Sequence, residues 1–201
     1  MSHSDATFDN QPNTSAFLDT TLPNLARIFD YLVGGTANFE VDRQAAEQML
    51  NMLPSLRKWI RLRRAFIQEA AQLLHREGFT QFLDLASGMP SDDHLHAFAP
   101  NCRIVYSDIN PVAVSYGRSL FSDRDNIAYI RGNGQEPESI LMSPEVLKLI
   151  HLDEPVAIGL NGLQLFLGEP HVKHLARTLF EWAPNGSKLF LVFQTHGILE
   201  M

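Results

Sequence analysis

The sequence predicts an α/β fold in which a mostly parallel sheet has helices on both faces. Two observations carry this prediction. Five short apolar runs follow one another between residues 82 and 193. Segments with helical spacing lie between them, and the clearest of these are residues 112–120 and 171–182. Strands joined by helical crossovers of this length pair in parallel, and a parallel sheet is buried on both faces.

Length and composition indicate one domain with a polar extension at its start. The chain has 201 residues, of which 45% are hydrophobic, and this is enough apolar surface for a single core. Residues 1–16 are polar and are expected to form a disordered tail. We expect residues 17–77 to form a helical cap together with the first helix that packs on the sheet. Residues 78–201 would form the core that contains the sheet.

Charge and cysteine content disfavour several classes of protein. The formal net charge is −7, whereas binding nucleic acid through bulk electrostatics requires an excess of Lys and Arg, so a nucleic-acid partner is not expected. Cys102 is the single cysteine, which rules out an intrachain disulfide and fits a reducing compartment. Residues 1–16 do not resemble a signal peptide, and the longest apolar stretch, residues 156–167, is too short to span a bilayer. We therefore expect a cytoplasmic protein without a membrane partner.

Apolar residues at helical spacing predict helices in residues 22–77. The spacing runs in two pieces over residues 22–53, and the loop between them contains Gly34 and Gly35, which can adopt positive φ. A long helix is predicted over residues 55–77, with Gly78 in the position of a C-cap glycine. Its predicted buried stripe consists of Leu56, Ile60, Ile67, Ala71 and Leu74.

The predicted strands all come after Gly78. They are Phe82 to Leu85, Arg103 to Ser107, Ile127 to Arg131, Val156 to Leu160 and Leu189 to Phe193. Ligands of an open α/β sheet bind beyond the carboxyl ends of its strands, near the point where the strand order reverses. The residues that end each strand are therefore the candidates for a binding site.

Ligand-capable residues end the first two strands. Asp84 lies in the first strand, and the small residues Ala86 and Gly88 follow it, which permits a sharp turn and a close approach of a ligand to the backbone. Asp108 ends the second strand and Ile109 follows. A carboxylate at this point is placed to accept hydrogen bonds from both hydroxyls of a ribose.

The third and fourth strands also end in small and polar residues. Asn133 follows the third strand and could pair with an edge of adenine, while Asn161, Gly162 and Gln164 follow the fourth. Each of these features is common on its own. Their occurrence after four successive strands, at one edge of the sheet, predicts a site for a ligand that contains a nucleoside.

The loop after the first strand indicates which class of nucleoside-containing ligand the site binds. A dinucleotide site uses Gly-x-Gly-x-x-Gly, but Gly88 is the single glycine here and Pro90 follows it closely. The Lys followed by Ser or Thr of a phosphate-binding P-loop is also absent. The pattern favours a ligand with adenosine and no phosphates, of which S-adenosylmethionine is the common one.

Two other charged segments are further candidates for a functional site. His94 and His96 lie in an acidic stretch that resembles a metal cluster in composition, but on a helix they would point to different sides, so no metal site is predicted. Residues 57–64 contain five Arg and Lys residues. We interpret them as a solvated helix face, with an anionic partner site as the alternative.

Several segments resemble one bacterial family of S-adenosylmethionine-dependent methyltransferase-like proteins, long described as a domain of unknown function. The resemblance covers roughly residues 18–195, and its N-terminal signature is fairly specific. The matching segments are DTTLP at 19–23, ARIFDYLVGG at 26–35, NF at 38–39, VDR at 41–43, RAF at 64–66, QFLD at 81–84, His96, VY at 105–106, Asp108, Pro111, PESIL at 137–141 and Phe166.

The resemblance implies a Rossmann-like class I methyltransferase fold whose N-terminal helical cap closes over S-adenosylmethionine. It implies methyl transfer to a small molecule, which it does not identify, and we name no catalytic residue because alignment and desolvation can suffice for this reaction. The cofactor would contact Asp84, Ala86, Gly88, Asp108, Ile109, Asn133, Asn161 and Gly162, and the acceptor pocket would include Tyr31, Phe39 and Gln164.

Some positions depart from the family pattern. Thr36 and Ala37 stand where the family usually has Lys-Asp, Asn133 replaces an Asp, and Leu165 replaces a His. The chain also ends soon after the fifth strand, so the last two strands of the seven-stranded fold are expected to be missing. The fifth strand would then be an exposed edge suited to homo-oligomer formation. The alternative function is a catalytically inactive, methyltransferase-like module that acts through ligand or protein contacts.

Overall fold

A five-stranded parallel sheet forms the centre of the molecule. The structure is a computed structural model that describes residues 19–163 and 166–192. The strands are β1 (Gln81–Leu85), β2 (Arg103–Asp108), β3 (Ile127–Arg131), β4 (Ala157–Leu160) and β5 (Lys188–Leu191). Every pairing is parallel, in the order β3-β2-β1-β4-β5. This confirms the predicted sheet, with strand ends within one or two residues of those expected among the described residues.

Helices connect these strands and form the N-terminal part of the described chain. They are α1 (Leu25–Val33), α2 (Glu40–Met52), α3 (Leu56–Arg76), α4 (Leu95–Phe98), α5 (Pro111–Leu120), α6 (Pro137–Leu141), α7 (Pro144–Leu149) and α8 (Glu169–Trp182). The long helix predicted over residues 55–77 is α3. Four of its five predicted core residues are buried, and the fifth, Leu56, packs at the edge of the α1–α2 cluster.

Both faces of the sheet are covered because neighbouring residues of each strand point to opposite sides. Phe82 packs with the apolar residues of α3, α4 and α5 on one face. Its neighbour Leu83 packs with α6, α7 and α8 on the other. The chain builds outward from β1 to β3 and then returns to β4, so the strand order reverses between β1 and β4. A crevice at their carboxyl ends is the expected consequence.

A buried ion pair holds α1 and α2 together. The Nε atom of Arg27 lies 2.7 Å from Oδ2 of Asp42, and the two side chains are 4% and 0% exposed. Asp42 also accepts hydrogen bonds from the backbone N–H groups of Asn24 and Phe39. Because these donors surround the carboxylate, its pKa is lowered despite its burial. The pair therefore fixes the start of α2 against α1.

Two asparagines join this pair of helices to the sheet. Asn24 is the N-cap of α1 and Asn110 is the N-cap of α5, and each side-chain oxygen accepts a backbone N–H of its own helix. The side-chain amide of Asn110 also donates to the Asn24 oxygen at 3.0 Å. The position of α1 is thus coupled to the loop that follows β2. We call α1, α2 and the first half of α3 the cap.

Strand β5 lies at one edge of the sheet. Within the described residues it pairs only with β4, and Leu189 is 48% exposed. Self-association through this edge stays a prediction. The tail of residues 1–16, the residue Gln164 and the expected strand end at Phe193 lie outside the described residues. In residues 19–163 and 166–192, no helix is long and apolar enough to cross a membrane.

The buried ion pair leads to a first prediction. Replacing Asp42 with Asn leaves the Arg27 guanidinium buried without a charged partner, so we expect the free energy of unfolding to fall by about 3 kcal/mol. Chemical denaturation monitored by circular dichroism measures this loss. Glu169→Gln is the matched control, since it removes an exposed pair with Lys173, and it should cost less than about 1 kcal/mol. Equal effects of the two substitutions would contradict the importance of the buried pair.

Candidate functional site

A cavity of about 300 Å³ lies at the carboxyl ends of β1, β2 and β4, under the cap. A smaller cavity of about 130 Å³ adjoins it near the end of β3. The two share four lining residues, which are Ala86, Ile109, Leu163 and Phe166. The position is the one expected for a ligand site, since the strand order reverses there.

The structure brings the predicted cofactor residues together at this edge. Seven of them line the larger cavity: Asp84, Ala86, Gly88, Asp108, Ile109, Asn161 and Gly162. Asn133 lines the smaller one. Its carboxamide oxygen already accepts the N–H of Gln135 at 3.0 Å, so one of its lone pairs is used in the turn.

The turn after β1 has an unusual backbone. Ala86 and Gly88 both have left-handed conformations, with φ of 55° and 72°. Glycine adopts such angles freely, but in alanine the clash of Cβ with the backbone raises the free energy of the folded state. The N–H of Gly88 donates to Oδ2 of Asp108 at 2.8 Å. The turn is therefore held by the residue that ends β2.

Asp108 is fixed by backbone donors on both carboxylate oxygens. Besides Gly88, the N–H of Asn110 donates to Oδ1 at 2.8 Å. Burial raises the pKa of Asp108, while these N–H groups act in the opposite direction. A carboxylate has lone pairs beyond the two used here, so it can still accept hydrogen bonds from a ligand in the cavity.

Asp84 and Asn161 present unsatisfied polar atoms at the ends of β1 and β4. The Oδ1 atom of Asp84 and both side-chain amide atoms of Asn161 are buried without a hydrogen-bond partner among the described residues. Burial raises the pKa of Asp84 to about 6. The nearby side chains of Ser87 and Asn161 and the Arg64 guanidinium oppose this increase without cancelling it. Buried polar groups are normally paired in proteins, so these atoms indicate where a polar part of a ligand fits.

The cap contributes Phe29 and Asp30 to the cavity wall from α1. Asp30 accepts a hydrogen bond from the Asn38 amide at 2.8 Å, and burial raises its pKa. A Cβ on Gly35 would come within 2.0 Å of the Asp30 carboxylate. Glycine is therefore required at position 35, where the chain passes directly against a buried carboxylate, while Gly34 adopts a left-handed φ of 102°.

Residues of α3 also reach the cavity, and these were missed by the sequence interpretation. Arg63 and Arg64 belong to the basic stretch that we interpreted as solvated, yet both line the larger cavity. Their spacing from Ile60 and Ile67 contains the signal that could have identified them. Each arginine lies three or four residues from both of these buried isoleucines, which places it on the buried stripe of the helix.

Two of the three predicted acceptor-pocket residues, Tyr31 and Phe39, do not line the cavity. Tyr31 points between α1 and α2, where its hydroxyl donates to Glu47 at 2.7 Å and Arg57 lies over its ring. Phe39 is 45% exposed and lies under the Arg27 guanidinium. Phe29 is the aromatic residue of this region that does line the cavity, and Gln164 lies outside the described residues.

His94 occupies a different place from the one that a helical metal site would need. It precedes the short helix α4, is 1% exposed and lines the larger cavity. Burial lowers its pKa well below the usual value, and its Nδ1 atom has no hydrogen-bond partner among the described residues. Its ring packs edge-on against Tyr106. It is therefore a neutral polar group in the cavity wall.

One group of metal-ligand residues lies away from both cavities. Ligand atoms of His151, Asp153 and Glu154 are within 4.8 Å of one another. The Glu154 carboxylate already pairs with Arg103 at 2.6 Å. None of the three lines either cavity, so they take no part in the site.

The sequence of residues 11–201 matches the family described as S-adenosyl methyltransferase. The chain belongs to this family. Its cofactor is S-adenosylmethionine, and its fold is the Rossmann-like class I fold. A comparison with curated proteins found no match.

Two solved structures share this fold over 90% of the chain. A candidate methyltransferase from Thermobifida fusca YX has a TM-score of 0.81 and 31% sequence identity, over 90% of this chain and 70% of that one. A DUF574 family protein from Streptomyces avermitilis MA-4680 has a TM-score of 0.80 and 27% identity, over 90% of this chain and 82% of that one.

The backbone at Ala86 in this member of the S-adenosyl methyltransferase family gives a second prediction. Ala86→Gly removes the left-handed strain at φ 55°, so the free energy of unfolding should rise by about 0.5–1 kcal/mol, as measured by chemical denaturation. Asn101 has a similar φ of 63°, but asparagine tolerates this conformation better. Asn101→Gly should therefore give a smaller gain, and the reverse order would contradict strain at Ala86.

Proposed function

We propose that this protein transfers the methyl group of S-adenosylmethionine to a small molecule that binds under the cap. The observation that carries the proposal is the composition of the larger cavity. It combines a backbone-held carboxylate, a left-handed turn and buried polar atoms without partners. The carboxylate ends β2, the turn follows β1, and the polar atoms, which have no partner among the described residues, lie at the ends of β1 and β4.

The ribose of the cofactor would be held by Asp108. Its carboxylate is fixed by Gly88 and Asn110 and has lone pairs left for the two ribose hydroxyls. Ile109, which is 57% exposed beside it, lines both cavities. The adenine would then lie in the smaller cavity, between apolar residues such as Leu163 and Ile140, with Asn133 at its edge.

The amino-acid end of the cofactor would be held where β1 and β4 end. An ammonium group suits the unpartnered oxygens of Asp84 and Asn161, because an ionised carboxylate and an amide oxygen both accept hydrogen bonds from it. Arg64 supplies positive charge at the same end, where it also donates to the Ser91 hydroxyl at 3.2 Å. We place the carboxylate of the cofactor beside Arg64.

When bound, the cofactor supplies a methyl group activated by a positive sulfur. The chain supplies position and an environment with little water. Phe29 and Val33 of α1 and Leu163 after β4 form apolar walls around the space that remains. Holding the reactants in alignment accounts for a large part of the barrier in such a reaction, so a dedicated base is not required.

A third prediction tests the ribose assignment. Asp108→Asn removes one charged acceptor, and we expect the affinity for S-adenosylhomocysteine, measured by titration calorimetry, to fall at least tenfold, or about 1.4 kcal/mol. Asp92→Asn is the matched control, because Asp92 is exposed and lies outside both cavities. NAD should not bind either protein. Unchanged affinity in Asp108→Asn would defeat the proposed cofactor position.

A fourth prediction concerns pH. The cofactor's ammonium should favour ionised Asp84, whereas the free protein holds a proton on this residue below a pKa of about 6. Cofactor affinity should therefore be constant above pH 7 and should fall below pH 6 by up to about tenfold per unit. Calorimetry from pH 5 to 8 measures this. Asp84→Asn should remove most of the dependence, and an identical slope in both proteins would exclude Asp84 as its source.

Methyl transfer itself is tested by the release of S-adenosylhomocysteine from S-adenosylmethionine in the presence of candidate acceptors. Product that depends on both protein and acceptor supports the proposal. Tight cofactor binding without transfer to any acceptor would instead favour the inactive, regulatory module.

A further inference from the structure

Arg63 is a positively charged side chain in the cavity wall. It is partly buried, and burial lowers its pKa. Across residues 19–163 and 166–192 it forms no ion pair and no hydrogen bond. The other charged groups that act on it are Arg64, which is repulsive, and Asp84, which is attractive. A guanidinium in such surroundings is normally paired.

Other arginines of α3 differ from Arg63 in this respect. Arg57 pairs with Glu47 at 2.8 Å. Arg64 donates to the Ser91 hydroxyl and lies 3.7 Å from the Asp93 carboxylate. Arg61 is exposed to solvent. Arg63 therefore combines access to the cavity with hydrogen-bond donors that no described residue accepts.

Two aromatic rings hold the Arg63 guanidinium in place. Its Cζ atom lies 5.0 Å from the ring centre of Trp59 and 5.6 Å from that of Phe29. Such cation–π contacts attract the positive charge without using its N–H groups as donors to an acceptor atom. The group is thus oriented before any ligand arrives, which lowers the entropy cost of binding.

The guanidinium reaches the end of β4. Its Nη1 atom is 2.6 Å from the position that a Cβ would occupy on Gly162, a residue with φ of 122°. A larger residue at 162 would therefore collide with Arg63. The neighbouring parts of the cavity wall are apolar, with Phe29 from the cap and Leu163 and Phe166 from the loop after β4.

We infer that Arg63 binds a carboxylate of the methyl acceptor, so that the acceptor is a small, largely apolar carboxylic acid. This inference rests on the proposed function. A carboxylate matches the paired donors of a guanidinium, and the apolar wall suits the remainder of such a molecule. The cofactor's own carboxylate is the second source of the same chemistry. Arg64 already serves that end of the site, beside the turn that follows β1.

The test uses the full chain saturated with S-adenosylhomocysteine. Titration calorimetry compares benzoate with benzamide, and phenylacetate with phenylacetamide, since each pair differs mainly in charge. The wild-type protein should bind at least one acid about tenfold or more tightly than its amide. Arg63→Met should lose this preference, Arg63→Lys should keep part of it, and the control Arg61→Met should keep all of it. Equal binding of acids and amides by the wild type would overturn the inference, as would a full preference in Arg63→Met.

A second titration separates the two carboxylate sources. S-adenosylhomocysteine carries the amino-acid group, and 5′-methylthioadenosine lacks it. Arg63→Met should bind both as the wild-type protein does, which also shows that the variant is folded. A selective loss of S-adenosylhomocysteine affinity would assign Arg63 to the cofactor and overturn its role with the acceptor. Failure of the wild-type protein to bind S-adenosylhomocysteine would instead contradict the proposed function.

Discussion

The double use of the Asp108 carboxylate is the constraint on which the site depends. One oxygen holds the N–H of Gly88 in the turn after β1, and the other holds the N–H of Asn110 at the start of α5. The side chain of Asn110 then reaches Asn24 at the start of α1, and the N–H of Asn24 donates to Asp42 in α2. A continuous series of hydrogen bonds thus runs from the proposed cofactor turn into the cap. Asp108, which we propose to bind the ribose, is therefore also connected to the helices of the cap.

The cavity wall contains buried polar atoms for which residues 19–163 and 166–192 supply no hydrogen-bond partner. Among the described residues, Asp84, Asn161 and His94 bury polar atoms that have no hydrogen-bond partner, and Arg63 lines the same cavity without forming an ion pair or a hydrogen bond. Each of these features lowers stability, because buried polar groups cost free energy when their hydrogen bonds are not made. The buried pair of Arg27 and Asp42 shows the opposite arrangement, in which neighbouring donors and acceptors surround the charges. In the part of the chain that the structure describes, four of the six buried side-chain atoms without partners belong to residues that line this cavity, and such a concentration is typical of a ligand site.

The sequence predicted the strand-end part of the site well, and the reason is geometric. Parallel strands place their carboxyl ends at one edge. Locating Asp84 and Asp108 at the ends of their strands and Asn161 directly after its strand was therefore sufficient to predict that they lie close together. The cap was harder. Phe29 and Tyr31 flank the same glycine loop, but residues two apart on a helix lie about 200° apart around its axis. Only Phe29 lines the cavity, while Tyr31 points to the groove between α1 and α2.

The fold class, the five strands, the longer helices and the residues at the sheet edge were determined by the sequence alone, because periodicity and strand ends are local properties. The short helices α4, α6 and α7 were not predicted. The tertiary structure decided which face of each cap helix covers the cavity. Helical spacing shows that α3 has a buried stripe, but not what lies opposite that stripe. Arg63 and Arg64 looked like solvent-facing charges until the ends of β1 and β4 were placed against them. Such placement depends on contacts between segments far apart in the chain, which no local pattern records.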